Sequence, residues 1–142
     1  MQFTTAILAF AAASVANAEV LFKASAFNAA CVPHGSECIY AFDVISTDNA
    51  SAAPVSCRAQ VQTTDGTLPE VKAGEGKCGE SDLTFFVAKN GDGLRVSVSK
   101  PVSTTVQRVG SHIITGGEIE LEQAGASGGQ KYTGPAAFDL ER

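Results

Sequence analysis

An all-β fold, a compact antiparallel β-barrel with a β-sandwich as the alternative, is predicted by three observations. Apolar and polar residues alternate with a period of two through many short stretches, the pattern of strands with one buried face. About eight to ten such stretches are separated by Gly, Pro, Asn and Asp turn signals, the spacing of a sandwich or barrel. Beyond residue 18 no stretch carries a helical apolar period. A barrel also removes the free strand edges that a sandwich keeps.

Residues 1–18 read as a secretory signal peptide. Thr4 to Val15 is apolar and alanine-rich but too short to span a bilayer, and Ala16-Asn17-Ala18 has the small-x-small form of a cleavage site. No Lys or Arg precedes the apolar run, which departs from the usual pattern. The competing reading, a buried N-terminal helix, leaves the cleavage-site match unexplained. Residues 19–142 are then expected to form a single β-barrel domain, secreted and extracellular. That length is the commonest for one domain, and the 44% hydrophobic composition supplies a core.

Glu19 to Phe27 places Val20, Phe22, Ala24 and Ala26 on one face of a first strand. Asn28 to Glu37 reads as a loop, with Pro33 and Gly35 as turn formers. In Cys38 to Ile45 one face carries Cys38, Tyr40, Phe42 and Val44, while Ile39, Ala41 and Ile45 make the other largely apolar. That is the signature of a central strand covered on much of both sides. Ser46 to Pro54 is a polar loop.

Val55 to Val61 alternates without a slip, with Val55, Cys57, Ala59 and Val61 inward. The following stretch, with Asp65-Gly66, Pro69 and Gly74-Glu75-Gly76, reads as turn-rich until Cys78. Leu83 to Val87 is rich in aromatic and β-branched residues and predicts a strand. Asn90-Gly91 then signals a hairpin into Leu94 to Ser99. The neighbouring Asp92 suggests a calcium loop, but the EF-hand spacing is absent.

Pro101 limits pairing at the start of the next run. Val102 to Val109 and His112 to Thr115 are β-branched, broken by Gly110-Ser111. Gly116-Gly117 predicts a turn before a strand with Ile119 and Leu121 inward and Glu118, Glu120 and Glu122 outward. Ala124 to Gly129 reads as a flexible loop. Tyr132 to Pro135 predicts a tight turn before a last strand with Phe138 and Leu140 inward.

Four cysteines, Cys31, Cys38, Cys57 and Cys78, form an even count in a secretory context and read as two disulfides. Three connectivities are open, and nearest-neighbour pairing, Cys31–Cys38 and Cys57–Cys78, is preferred. Loop entropy assigns these roughly 2.5 and 3.3 kcal/mol. A zinc site fits poorly, because there is no Cys-x-x-Cys pair and His34 and His112 complete no usual ligand spacing. Asn49-Ala50-Ser51 is an N-glycosylation acceptor pattern, making Asn49 a possible modification site.

The formal net charge of −5 argues against nucleic acid or an anionic membrane surface as the main partner. Catalytic motifs are missing: no Gly-x-Ser-x-Gly, no His-Glu-x-x-His and no phosphate-cradling glycine loop. Ser111 and His112 are strand neighbours and point to opposite faces. The glutamates at 118, 120 and 122 fit a solvated face better than a carboxylate pair or cation site. With no tryptophan and two tyrosines, no aromatic platform for sugars or bases stands out. No catalytic residue, cofactor or metal is assigned.

Four stretches together resemble a known group. They are Met1 to Thr5, Ser56-Cys57-Arg58-Ala59-Gln60 with Lys77-Cys78-Gly79-Glu80 about twenty residues on, Gly93 to Val98, and Gly134-Pro135 ahead of Phe138. In order and spacing the chain is similar to the small secreted fungal proteins related to the major allergen of Alternaria, a group that includes elicitors of the plant hypersensitive response. The resemblance implies a compact β-barrel with Cys57–Cys78 as the shared bridge. It implies a non-enzymatic elicitor or effector recognised by a plant host protein, either a receptor or an apoplastic defence protein. Membrane contact is then expected only through a host receptor. A small-ligand-binding barrel or an inhibitor of a host defence protein is the alternative.

This chain departs from the allergen in two ways. It has no cysteine ahead of its first strand, so a monomer is expected rather than a disulfide-linked dimer. It lacks the allergen's C-terminal cysteine pair and places Cys31 and Cys38 before the second strand. None of the allergen's ligand or partner residues is therefore carried over.

Overall fold

A computed structural model describes residues 19–32, 36–48, 52–124 and 127–142. The expected signal segment, His34 and Asn49 lie outside these residues. Among the described residues ten strands follow in chain order: β1 (Val20–Cys31), β2 (Glu37–Ser46), β3 (Val55–Gln62), β4 (Val71–Cys78), β5 (Thr84–Asn90), β6 (Gly93–Pro101), β7 (Gln107–Ile114), β8 (Ile119–Ala124), β9 (Ser127–Tyr132) and β10 (Phe138–Glu141). A 3₁₀ turn, Gly116–Glu118, precedes β8. The sheet runs β10-β7-β6-β5-β4-β3-β2-β1, and a β1–β10 pairing closes it into an eight-stranded antiparallel barrel. β9 and β8 form a ribbon that joins the barrel through a pairing of Ala30 with Lys131.

An eight-stranded barrel has an interior just wide enough for side chains to fill, and here they do. Tyr40, Phe22, Phe85, Val44, Val87, Val96, Val98, Ile114 and Leu140 are fully buried. Aromatic rings run in contact through the core: Phe85 meets Phe42 edge-on at 5.0 Å, Phe42 meets Phe27 at 5.5 Å, and Phe27 meets Tyr132 at 4.9 Å and Phe138 at 5.1 Å. The Tyr40 hydroxyl donates to the Pro69 carbonyl at 2.6 Å, so the one polar group of this side chain is satisfied.

Several expected boundaries move, each for a local reason. β1 continues to Cys31 because a bulge at Ala26, held at φ 52°, flips the inward parity. Ala26 is therefore exposed, and Phe27, Ala29 and Cys31 turn into the core. The turn-rich stretch before Cys78 contains β4, whose pairing with β5 slips register between Val71 and Gly76. β7 runs unbroken through Gly110, where a Cβ would lie 2.8 Å from the Leu140 carbonyl oxygen and 3.0 Å from Phe22 Cδ2. Glycine marks a close approach of β10 there, not a turn. The hairpin after Asn90 turns on Gly91-Asp92, one residue later than expected. Val102 to Val106 forms the loop before β7, and the stretch expected as a loop after Ala124 contains β9.

Left-handed backbone at a non-glycine residue costs about 1–2 kcal/mol, whereas glycine there loses only about 0.5–1 kcal/mol of chain entropy. Ala26→Gly is accordingly expected to raise the unfolding free energy by about 0.5–1 kcal/mol, read as a higher urea midpoint. An unchanged or lower midpoint contradicts the strain assigned to this bulge.

Candidate functional site

Both cysteine pairs are bonded, Cys31 to Cys38 and Cys57 to Cys78, and no cysteine is free. Each joins directly paired positions of adjacent strands, β1 with β2 and β3 with β4. Two formed disulfides are consistent with an extracellular protein.

The residues that carried chemical suspicion are dispersed. The Ser111 hydroxyl shares a hydrogen bond of 2.7 Å with Ser97, while His112 stacks on the Phe138 ring at 3.9 Å. Burial pulls the His112 pKa below its ordinary value, partly opposed by the charges of Glu118, Glu141 and Asp139. A concavity of about 490 Å³ opens at this β7–β10 seam, lined by Ser111, His112, Ile113, Asp139 and Glu141.

Sequence spacing puts Glu118 on one strand face with Glu120 and Glu122, and the structure separates it from them. It ends the 3₁₀ turn, where its carboxylate accepts from the Thr115 backbone N–H at 3.0 Å and the Thr115 hydroxyl at 3.2 Å. Glu122 pairs with Lys131 at 3.4 Å, and both are largely exposed. Leu121, expected inward, is 59% exposed, because the β8–β9 ribbon leaves the barrel wall beyond Ile119 and has no sheet to cover it. Among the described residues no three His, Cys, Asp or Glu side chains converge on a metal position.

What the strands do assemble is an apolar concavity on the outer face of β1 and β2. Asn28 pairs with Ala41 and Ala30 with Ile39, so small residues sit beside a large one and leave a depression of about 290 Å³. Cys31 and Val32 complete its lining, and Val32 is 44% exposed. The Cys31–Cys38 bridge closes the ladder at this end and holds the two strands in register. The second apolar face of β2 was visible in Ile39, Ala41 and Ile45. It is half-buried rather than covered, because the closed wall has no second layer over it.

Both tyrosines are engaged inside. Burial raises the Tyr40 pKa, and burial together with the Glu118 charge raises that of Tyr132 to about 12. Groups with raised folded pKa values contribute stability that is complete below the unfolded value of 10.0 and lost as pH climbs through the folded value. Stability is therefore expected to fall between pH 10 and about 12, with the native protein lacking tyrosinate absorbance at the pH where the urea-unfolded chain shows it. Equal tyrosinate signals from the two states at pH 10 contradict this.

Comparison with known proteins identifies no relative: no family model, no curated protein and no solved structure matches this chain.

Proposed function

We propose that this protein is a secreted, non-enzymatic elicitor or effector of the fungal type, recognised through its exterior by a plant host protein and inducing hypersensitive cell death and defence responses. The observation that carries the reading is an apolar depression on the outside of a barrel whose interior is filled. The barrel interior is occupied by Tyr40, Phe22, Phe85 and their neighbours, while the apolar depression of Asn28, Ala30, Val32, Ile39 and Ala41 opens outward. An exposed apolar patch on a rigid wall suits contact with another protein. The disulfides suit an oxidising extracellular setting, and the sequence resemblance supplies the plant–fungus context.

The small-molecule version of the alternative finds less support, since a ligand inside would have to displace fully buried side chains. Inhibition of a host defence protein would use the same outer surface.

The test is infiltration of purified residues 19–142 into leaves beside an Ile39→Arg variant of matched melting temperature. The wild type is expected to cause local cell death, and the variant to need about a tenfold higher dose, the effect of losing a contact residue at a recognition surface. A folded wild-type protein that elicits neither cell death nor defence signalling defeats the proposal. Equal potency of the two proteins defeats the assignment of the surface.

A further inference from the structure

We infer that the outer edge of β3 is a docking edge for an extended, basic segment of another protein, taken up by strand addition between β3 and β4. The observation is a ladder that stops early. β3 pairs with β2 over eight residues, from Val55 with Val44 to Gln62 with Glu37, but with β4 over two, Cys57 with Cys78 and Arg58 with Lys77. Beyond Arg58 the two strands separate. A groove of about 590 Å³ opens between them, lined by Gln60, Val61, Gln62, Pro69, Glu70, Lys72 and Glu75.

The direction of the backbone groups follows from the register. The Thr63 N–H donates to the Ser36 carbonyl at 2.7 Å, on the β2 side. In an antiparallel strand the bonding direction alternates by residue, so Val61, Ala59 and Cys57 also face β2. Gln60 and Gln62 then direct their N–H and C=O groups into the groove, where no described strand pairs with them. Such an edge is a template for an added strand, and backbone hydrogen bonds would supply affinity while alternate side chains supply selectivity.

Charge selects the occupant. Glu70 and Glu75 stand on the groove wall with Lys72, two carboxylates to one ammonium, and the Gln60 side chain is held on the β2 side by Glu37. Arg58 and Lys77 lie at the paired end, so the excess negative charge sits at the open part. Outward side chains of an added strand lie beside Gln60 and Gln62, with Glu70 and Glu75 on the groove wall, which favours Lys or Arg. Inward ones meet Val61 and Pro69, which favours small apolar residues.

A second copy of this chain is disfavoured. Its own exposed edge strand, β8, carries Glu120 and Glu122 and would bring carboxylates against carboxylates. The inference does not depend on the elicitor reading and concerns a different face from the β1–β2 depression.

The experiment uses the folded residues 19–142 and a labelled synthetic peptide of alternating valine and lysine, followed by binding titration and amide hydrogen exchange. Saturable binding is expected to weaken with salt, and the Gln60 and Gln62 amides, fast in the free protein, are expected to become protected. The matching valine–glutamate peptide and a backbone N-methylated valine–lysine peptide are each expected to bind about tenfold or more weakly. Gln62→Pro removes an edge donor without touching the β2 ladder and is expected to weaken binding by a similar factor. Glu75→Lys weakens it through charge alone, so a proline variant that misfolds does not end the test. Slow Gln60 and Gln62 exchange in the free protein, binding without their protection, equal binding of the glutamate peptide, or no binding of the lysine peptide each overturns the inference. Concentration-dependent self-association that protects the same amides overturns the assignment to a foreign segment.

Discussion

Replacing Cys57 and Cys78 together by serine is expected to lower the unfolding free energy by about 3–5 kcal/mol, against about 2.5 kcal/mol for the Cys31, Cys38 double variant. The loops closed differ, with sequence separations of 21 and 7, and loop entropy alone ranks them in that order. Position in the barrel widens the gap. Cys31 and Cys38 close one end of a β1–β2 ladder that seven further residue pairs would still hold. Cys57 and Cys78 make up one of the two residue pairs that join β3 to β4. All four cysteines are buried, so each serine pair also places hydroxyls in an apolar setting. Urea midpoints of the two variants, each measured under conditions that preserve the remaining bridge, decide the ranking. Coincident midpoints contradict it.

Phe85→Ala is expected to cost about 3–5 kcal/mol, the range for removing a buried aromatic ring without full collapse of the site. Phe85 has no solvent exposure and meets Phe42 edge-on, at the head of the aromatic run that ends on Phe138. The space beside it is already used to the limit: a Cβ at Gly76 would lie 2.8 Å from Phe85 Cδ1. Neighbouring strands cannot close over the void without breaking their ladders, so a cavity persists. Phe86→Ala is the control. It changes the next residue of β5, half-buried on the outer wall, and is expected to cost about 1 kcal/mol or less. Equal losses at the two positions contradict the assignment of which face of β5 is the core.

The strands whose alternation was unbroken were legible in the residues themselves. Cys38, Tyr40, Phe42 and Val44 point inward as their spacing predicts, and so do Cys57 and Ala59. What was not legible depends on contacts distant in sequence. Ala26 looks like an inward residue until the bulge is known. Gly110 reads as a break because the β10 backbone that needs its bare Cα is thirty residues away. β4 holds Gly74 and Gly76 amid charged residues, and it becomes a strand through pairing with β5 rather than through its own propensity. Leu121 follows the right period on a ribbon with nothing to pack on.

The candidate surface was half-visible. Ile39, Ala41 and Ile45 announced a second apolar face on β2, but whether a layer covered it depended on closure of the sheet. Glu118 was grouped with Glu120 and Glu122 by spacing, and the 3₁₀ turn separates it from them. The open edge of β3 left no trace in composition, because a missing pairing partner is a property of the neighbour and not of the strand.

Closure of the barrel through β1 and β10 also places two distant positions side by side. The Arg142 amide donates to the Glu19 carbonyl at 2.9 Å, and their side chains form an ion pair at 3.3 Å. In a protein made of residues 19–142, a short peptide joining these positions, with the backbone cut in the exposed turn between Val102 and Val106, rewires the chain without altering a single rung of the wall. The same adjacency makes this rim a natural point of attachment to a bead or sensor chip, with the disulfide-bridged depression at the far end of β1 left facing the solution.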